Sequence, residues 1–275
     1  LRGEDHISNT PRHILIQEAL GFAVPQYAHI PLLLSPDKSK LSKRKGALAI
    51  TAYRDKGILR EAIINYMALL GWNPGTTQEI FSIDELVKLF ELSQVQKSGA
   101  IFNEEKLLWM NKQYINAMSD ADFLKHMQPY MPKDLPLSQE KIRDLAPILK
   151  DRIHAFGDII QLMSPEGEIG SLFAPMQIAK EKLLWKQDAD FAVPKAHLSH
   201  IKNLLESASP EAFKTADGVK QELWPYAEEK GRGSVLWPMR FALSGKDKSP
   251  DPFTLAQILG KEETISRISR AHDLL

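Results

Sequence analysis

His29-Ile30-Pro31-Leu32-Leu33-Leu34-Ser35-Pro36-Asp37-Lys38-Ser39-Lys40-Leu41-Ser42-Lys43-Arg44-Lys45-Gly46 joins an apolar run to a dense cationic loop. The run is short and is stopped by Ser35-Pro36-Asp37, which predicts a buried strand entering a turn. Five of the eight residues from Lys38 to Lys45 are basic, and Ser39 and Ser42 add hydroxyl donors. Open α/β sheets hold ligands in the crevice outside the carboxyl ends of their strands, so the loop stands where a ligand is expected. Ammonium groups on flexible stems follow phosphate oxygens, and a polyphosphate is the matching ligand. A solvated surface loop or a targeting patch is the plainer reading of a lysine run taken alone.

Upstream of this stretch, Asn9-Thr10-Pro11 supplies a helix cap and a proline at the first helical position, residues 13–20 continue as helix, and Gly21 ends it. The first fifty residues therefore read as α/β. Downstream of Thr51 strand signals nearly vanish. Ile58, Leu59, Ala62, Ile63, Tyr66, Met67 and Leu70 follow helical spacing, Ser82-Ile83-Asp84-Glu85 is a capping box, and residues 103–112 and 119–127 are further helices. Met131-Pro132-Lys133-Asp134-Leu135-Pro136 interrupts the pattern as a linker. Beyond it helices are expected over residues 139–162, 177–185, 195–206, 219–230, 237–243 and 264–274. The fold class is mainly α, with an α/β piece at the start.

The chain has 275 residues, 43% apolar and 25% charged, enough for a large core in two or three modules. Thirty-five basic and 35 acidic residues cancel, so any nucleic-acid contact must use local patches rather than a whole-molecule field. With no cysteine there is no disulfide framework, thiol nucleophile or thiolate metal site. The eight histidines show no paired metal-ligand spacing, so no metal site is expected. No apolar run approaches membrane-spanning length, and a soluble globular protein is expected. The first residue is Leu1, without a charged-then-apolar leader, and the chain reads as a piece of something longer.

Lys40-Leu41-Ser42-Lys43-Arg44 resembles the KMSKS signature of class I aminoacyl-tRNA synthetases. Arg2-Gly3-Glu4-Asp5-His6-Ile7-Ser8-Asn9-Thr10-Pro11 lies upstream at the separation seen in glutamate–tRNA ligases. Leu107-Leu108-Trp109-Met110-Asn111 is similar to that family's K-L-x-W-M-N segment. Leu236-Trp237-Pro238-Met239-Arg240-Phe241-Ala242-Leu243-Ser244-Gly245, followed by Leu259-Gly260-Lys261-Glu262, resembles its C-terminal P-L-R-x-A-L-T-G…L-L-G-K-E pattern. The resemblance runs from Leu1 to Leu275 and implies three parts. Residues 1–50 would be the remainder of a Rossmann-like catalytic domain, 51–131 a helical stem-contact domain, and 132–275 an all-helical anticodon-binding domain.

The family's residues carry over position by position. Lys43 is expected to bind the ATP phosphates and stabilise departing pyrophosphate, with Lys40 and Arg44 supporting the loop; this is electrostatic catalysis without a covalent step. Arg2 falls where the family holds the carboxylate of glutamate through a planar guanidinium, and a surface arginine is the plain alternative. Asp5 matches an acidic position near ATP, and Leu33 a position whose backbone meets the adenine; taken alone they are a turn residue and a core residue. Glu4 and Asp5 are not read as an acid/base pair, because neighbours on a strand point to opposite faces. ATP with Mg2+, glutamate and glutamate tRNA are the implied ligands, in a monomeric cytoplasmic enzyme. The second class signature, HIGH, has no match in the chain, so the isolated piece is expected to form no adenylate.

Helical periodicity fits the bacterial type of glutamate ligase, since glutamine ligases use β-barrels there and the truncated paralogues that glutamylate queuosine lack the domain. Lys150 and Arg152, beside His154, are the candidate anticodon contacts, against a solvated face of an amphipathic helix. Trp185, Trp224 and Trp237 are read as core packing, with stacking platforms as the alternative. Two other classes stay open: a non-catalytic tRNA-binding module derived from such an enzyme, and a helical scaffold whose loop merely binds phosphate.

Overall fold

The computed structural model describes residues 1–41, 49–133, 137–174, 176–247 and 249–275, in two compact units. The first comprises Leu1–Tyr130 and Leu149–Ile159, the second Met131–Ile148 and Ile160–Leu275. As the sequence predicts, helices dominate.

The first unit opens with a βαβ turn. Strand β1 (Arg2–Gly3) runs parallel to β2 (His29–Ile30), with Arg2 opposite His29, and helix α1 (Thr10–Ala19) makes the crossover that parallel strands require. Gly21 follows that helix at φ +73°, a conformation that favours glycine. The apolar run expected as one strand is two. Pro31 has no N–H to give a ladder, and the Leu32 N–H that follows is donated to Glu4 Oε1 at 3.0 Å. The chain resumes as β3 (Leu33–Leu34), parallel to β4 (Ala100–Ile101) in a separate two-stranded sheet. Its expected burial also fails: Ile30 is 41% and Leu33 36% exposed. Each sheet has two strands among the described residues, and Ile30 and Leu33 line an open apolar groove of about 330 Å³ with Met67, Leu70, Trp72 and Phe90.

Between β3 and β4 lie α2 (Ile50–Asp55), α3 (Arg60–Leu69) and α4 (Ile83–Leu89), the last begun by the expected capping box of Ser82 and Glu85. Helix α3 packs on α4 and on α5 (Glu104–Ala117), which Asn103 caps. Buried Asn65 of α3 accepts from the Phe81 N–H at 2.8 Å and from the Tyr114 hydroxyl at 2.6 Å. Burial pushes the Tyr114 phenol up to about 12. Helix α6 (Asp120–Met127) follows, capped by Ser119.

The helix predicted over 139–162 is broken into α7 (Gln139–Arg152) and α8 (Asp158–Leu162). Asp158 Oδ2 accepts from His154 N–H and Ala155 N–H, replacing helical partners with a cap. Phe156 N–H and Gly157 N–H are donated instead to Gly57 and Lys56 carbonyls at 3.1 and 3.0 Å. The approach is so close that a Cβ at Gly57, which has φ +80°, would meet Gly157 N at 2.6 Å. Asn111, fully buried on α5, ties the same two segments: its Oδ1 accepts from Leu59 N–H at 2.8 Å and its Nδ2 donates to His154 O at 2.6 Å.

The second unit is all helical among the described residues. Helix α9 (Ala192–Ser207) packs on α13 (Lys261–Leu274), with α10 (Ala216–Lys230), α11 (Arg232–Ser244) and α12 (Pro252–Leu259) around them. Helix α12 is additional to those predicted; Asp251 caps it and Pro252 opens it, so a proline pair read as punctuation is a helix start. The helix expected over 177–185 is only a 3-10 turn, Lys180–Leu183, because Leu183 is the one fully buried side chain in that segment.

Replacing Asn111 by Leu leaves the Leu59 N–H and His154 C=O buried without partners and should cost about 2–5 kcal/mol, measured by chemical denaturation against the native chain.

Candidate functional site

The carboxyl end of β3 turns back as a tight hairpin. Leu34 bridges Lys40, Leu41 N–H is donated to Leu33 O at 2.8 Å, and Ser35 N–H to Ser39 O at 2.8 Å. Asp37 Oδ1 accepts from the Ser39 N–H at 3.0 Å and its hydroxyl at 2.6 Å. Among the described residues Lys38 is the one non-glycine with positive φ, at 63°. The hairpin aims Lys40 at Asp5, 2.8 Å from Nζ to Oδ2. That hydrogen bond holds the Asp5 carboxyl below the usual carboxylate range. Asp5 and Lys40, two of the expected site residues, are thereby brought together across 35 positions of sequence.

Asp5 sits on a 3-10 turn, Glu4–His6, rather than on a strand. Strand alternation therefore does not separate Glu4 from Asp5; their partners do, Glu4 accepting from the Leu32 amide and Asp5 from Lys40. Arg2 Nη1 is 2.6 Å from His13 Nδ1, and since arginine only donates, the imidazole nitrogen is the acceptor. Lys43 and Arg44 lie outside the described residues.

On α7, Lys150 Nζ is donated to Met118 O at 2.6 Å and its side chain is 17% exposed. Lys112 reaches back to the carbonyls of Lys150 and Asp151, closing the last turn of α7. Burial pulls the Lys112 ammonium below its ordinary range. Arg152 is half-buried in the same turn.

The tryptophans of the second unit are half-buried, Trp224 packing edge-on against buried Phe253. Trp185, Trp224 and Trp237 are all partly exposed, and each carries a cation over its ring. Trp185 and Trp237 pair at 5.4 Å between centroids, with the Arg240 guanidinium 4.7 Å above Trp237 and Lys186 5.1 Å from Trp185. A Cβ at Gly233 would lie 2.7 Å from the Trp185 ring, so that glycine admits the indole. Lys220 and Arg232 flank Trp224, each 4.6 Å from its ring. Beyond the end of α11 a polar pocket of about 430 Å³ is lined by Glu166, Glu168, Ser171, Ser244, Lys246 and Ser249. The buried Ser171 hydroxyl there makes no hydrogen bond among the described residues. Arg240 was within reach of the sequence, since Trp237 and Arg240 are three apart on one helix face; the Trp185 partner is a tertiary contact with no local signal.

Such a surface, cationic groups held against aromatic faces, is chemically suited to stacking unpaired nucleobases. Residues 1–109 match the catalytic domain of class I tRNA synthetases (E and Q), and residues 122–272 match an anticodon binding domain. Glutamate–tRNA ligases of Anaeromyxobacter sp. strain Fw109-5 and Chloroherpeton thalassium are each 36% identical to it, over 98% and 100% of this chain. The chain belongs to the glutamate–tRNA ligase family. It spans about half the length of these family members, 55% and 56%. The crystal structure of a glutamate tRNA ligase from Elizabethkingia meningosepticum, in complex with its amino acid, superimposes with a TM-score of 0.78 at 32% identity over 99% of this chain and 56% of that one. The family's glutamate–tRNA synthetase from Elizabethkingia anophelis gives 0.76. Among the described residues no group of His, Asp or Glu is placed to hold a metal ion, and no helix is long and apolar enough to cross a membrane.

Lys38→Gly should relieve the left-handed strain and stabilise the hairpin by about 0.5–1 kcal/mol. Slower hydrogen exchange of the Leu41 amide is the expected readout.

Proposed function

We propose that this chain supplies the phosphate-handling loop and the tRNA-binding surfaces of an enzyme that activates glutamate with ATP and Mg2+ and transfers it to glutamate tRNA. The observation that supports it most directly is the meeting of Asp5 with Lys40 at the mouth of β3, which joins two family motifs at one site. Lys40, with Lys43 and Arg44, would neutralise charge on the departing pyrophosphate, and Asp5 and the Leu33 backbone would face the nucleotide. Arg2 keeps donors beyond the one it gives His13 and would hold the glutamate carboxylate. The parts are assigned as residues 1–50 catalytic, 51–131 stem contact and 132–275 anticodon binding, in a monomeric cytoplasmic protein.

For tRNA, Arg152 remains a proposed contact, whereas the Lys150 ammonium is occupied by Met118 O and is assigned to holding the fold. The Trp185, Trp237 and Arg240 cluster is the stronger candidate for stacking anticodon bases, because its rings are partly exposed and already presented with cations. A tRNA-binding module without catalysis of its own is the second reading, favoured by the cation-flanked tryptophans of the second unit, which need no activation site.

Arg240→Ala should weaken binding of glutamate tRNA about tenfold with the helical circular dichroism unchanged; equal affinity at physiological salt removes the assignment. The 275 residues alone are expected to give no ATP–pyrophosphate exchange. Measurable exchange would show a complete activation site and reject the module.

A further inference from the structure

We infer that Arg267 is a positioning residue for anticodon reading: it clamps the two walls of the polar pocket beyond α11 in register. The inference rests on the proposal that the second unit binds tRNA. Arg267, on α13, is 5% exposed and spends its planar fork on separate pieces of backbone. Nη1 donates to Leu243 O at 2.7 Å, Nη2 to Leu172 O at 2.5 Å, and Nε to Glu263 at 2.7 Å. Both carbonyls stand where helical structure ends and intrahelical donors run out: Leu243 in the last turn of α11, Leu172 in the 3-10 turn Gly170–Phe173.

Leu172 is itself part of the pocket wall, and Leu243 is one residue from it. Ser171 precedes Leu172, and Ser244 follows Leu243. Ser244 Oγ donates to Arg240 O at 2.8 Å and accepts from Lys246 N–H at 3.2 Å, so the wall is continuous with the turn of α11 that carries Arg240. The left-handed Gly245, φ +65°, turns the chain along this wall, and a Cβ on it would lie 2.7 Å from Met176, which Arg267 also touches at 3.8 Å. The spacing between Ser171 and Ser244 is thus set from behind by a guanidinium. A lysine, a point charge on a flexible stem, cannot bridge both carbonyls with fixed geometry. Burying a cation costs stability that an apolar residue would not, so its presence calls for a use. Unstacked bases are read on their edges by hydroxyls, cations and backbone groups, and the pocket wall carries all three beside the carboxylates of Glu166 and Glu168.

The test compares the full chain with Arg267→Lys, and with Arg270→Lys as control, since Arg270 also reaches Glu263 but at 55% exposure. Binding is measured to transcribed glutamate tRNA and to transcripts with single anticodon substitutions, well below the melting temperature. Arg267→Lys is expected to reduce the preference for the natural anticodon about tenfold, and Arg270→Lys to leave it unchanged. A loss of stability alone would not move this ratio. If the native chain discriminates and Arg267→Lys discriminates equally, the positioning role is overturned while tRNA binding stands. If the native chain shows no preference, the tRNA reading falls and takes this inference with it. Should Arg267→Lys not fold, amide exchange of the native chain decides. Glutamate tRNA, but not its anticodon variants, is expected to slow exchange at residues 171–173 and 244–246. Equal protection by both overturns the inference.

Discussion

The carboxamide of Asn111 makes the contact on which the first unit depends. One side chain satisfies the amide that opens α3 and the His154 carbonyl in the connection between α7 and α8, two segments with no sequence proximity, in a site from which water is excluded. An isolated buried polar group is costly, and a fully paired one specifies a single arrangement because any slip leaves two backbone groups orphaned. Lys112, the next residue, repeats the logic by closing the last turn of α7, and Lys150 returns the favour on the carbonyl of Met118. Residues 149–159 are held to the first unit by this exchange, together with Phe156 stacked on Tyr130 and His126.

The helical class, the capping box at Ser82 and the turn after an apolar run were legible because each rests on local chemistry: periodicity, a side chain reaching its own backbone, a proline and an aspartate that end a run. What escaped depended on distant partners. Pro31 divides a run whose hydrophobicity reads as one strand, and Gly57 and Gly157 divide a helix whose periodicity reads as continuous, since the competing hydrogen bonds come from a loop about a hundred residues away. Ile30 and Leu33 have the composition of a core strand but lie in two-stranded sheets and remain exposed.

At the site the same division holds. Motif order put Asp5 and Lys40 in one place, and their ion pair is real, yet both ends are exposed and water screens most of its energy. Its value is geometric: it gives the hairpin a direction. Lys150 shows the converse, a cation that looks available in a helical wheel and is consumed by a neighbouring carbonyl. The chain has no net charge, and at Trp185, Trp224 and Trp237 it sets cations against indole faces, a local arrangement whose field salt screens within about 10 Å.

The distribution of tryptophans has an optical consequence. In the first unit Trp72 is sealed beside Phe81 and Trp109 is exposed under Lys106, whereas Trp185, Trp224 and Trp237 belong to the second, each beside a cation. The close, tilted Trp185–Trp237 pair is a coupled chromophore whose near-ultraviolet signal arises in the second unit alone. The protein therefore carries an internal dye at its candidate stacking surface, able to report an arriving base without any label.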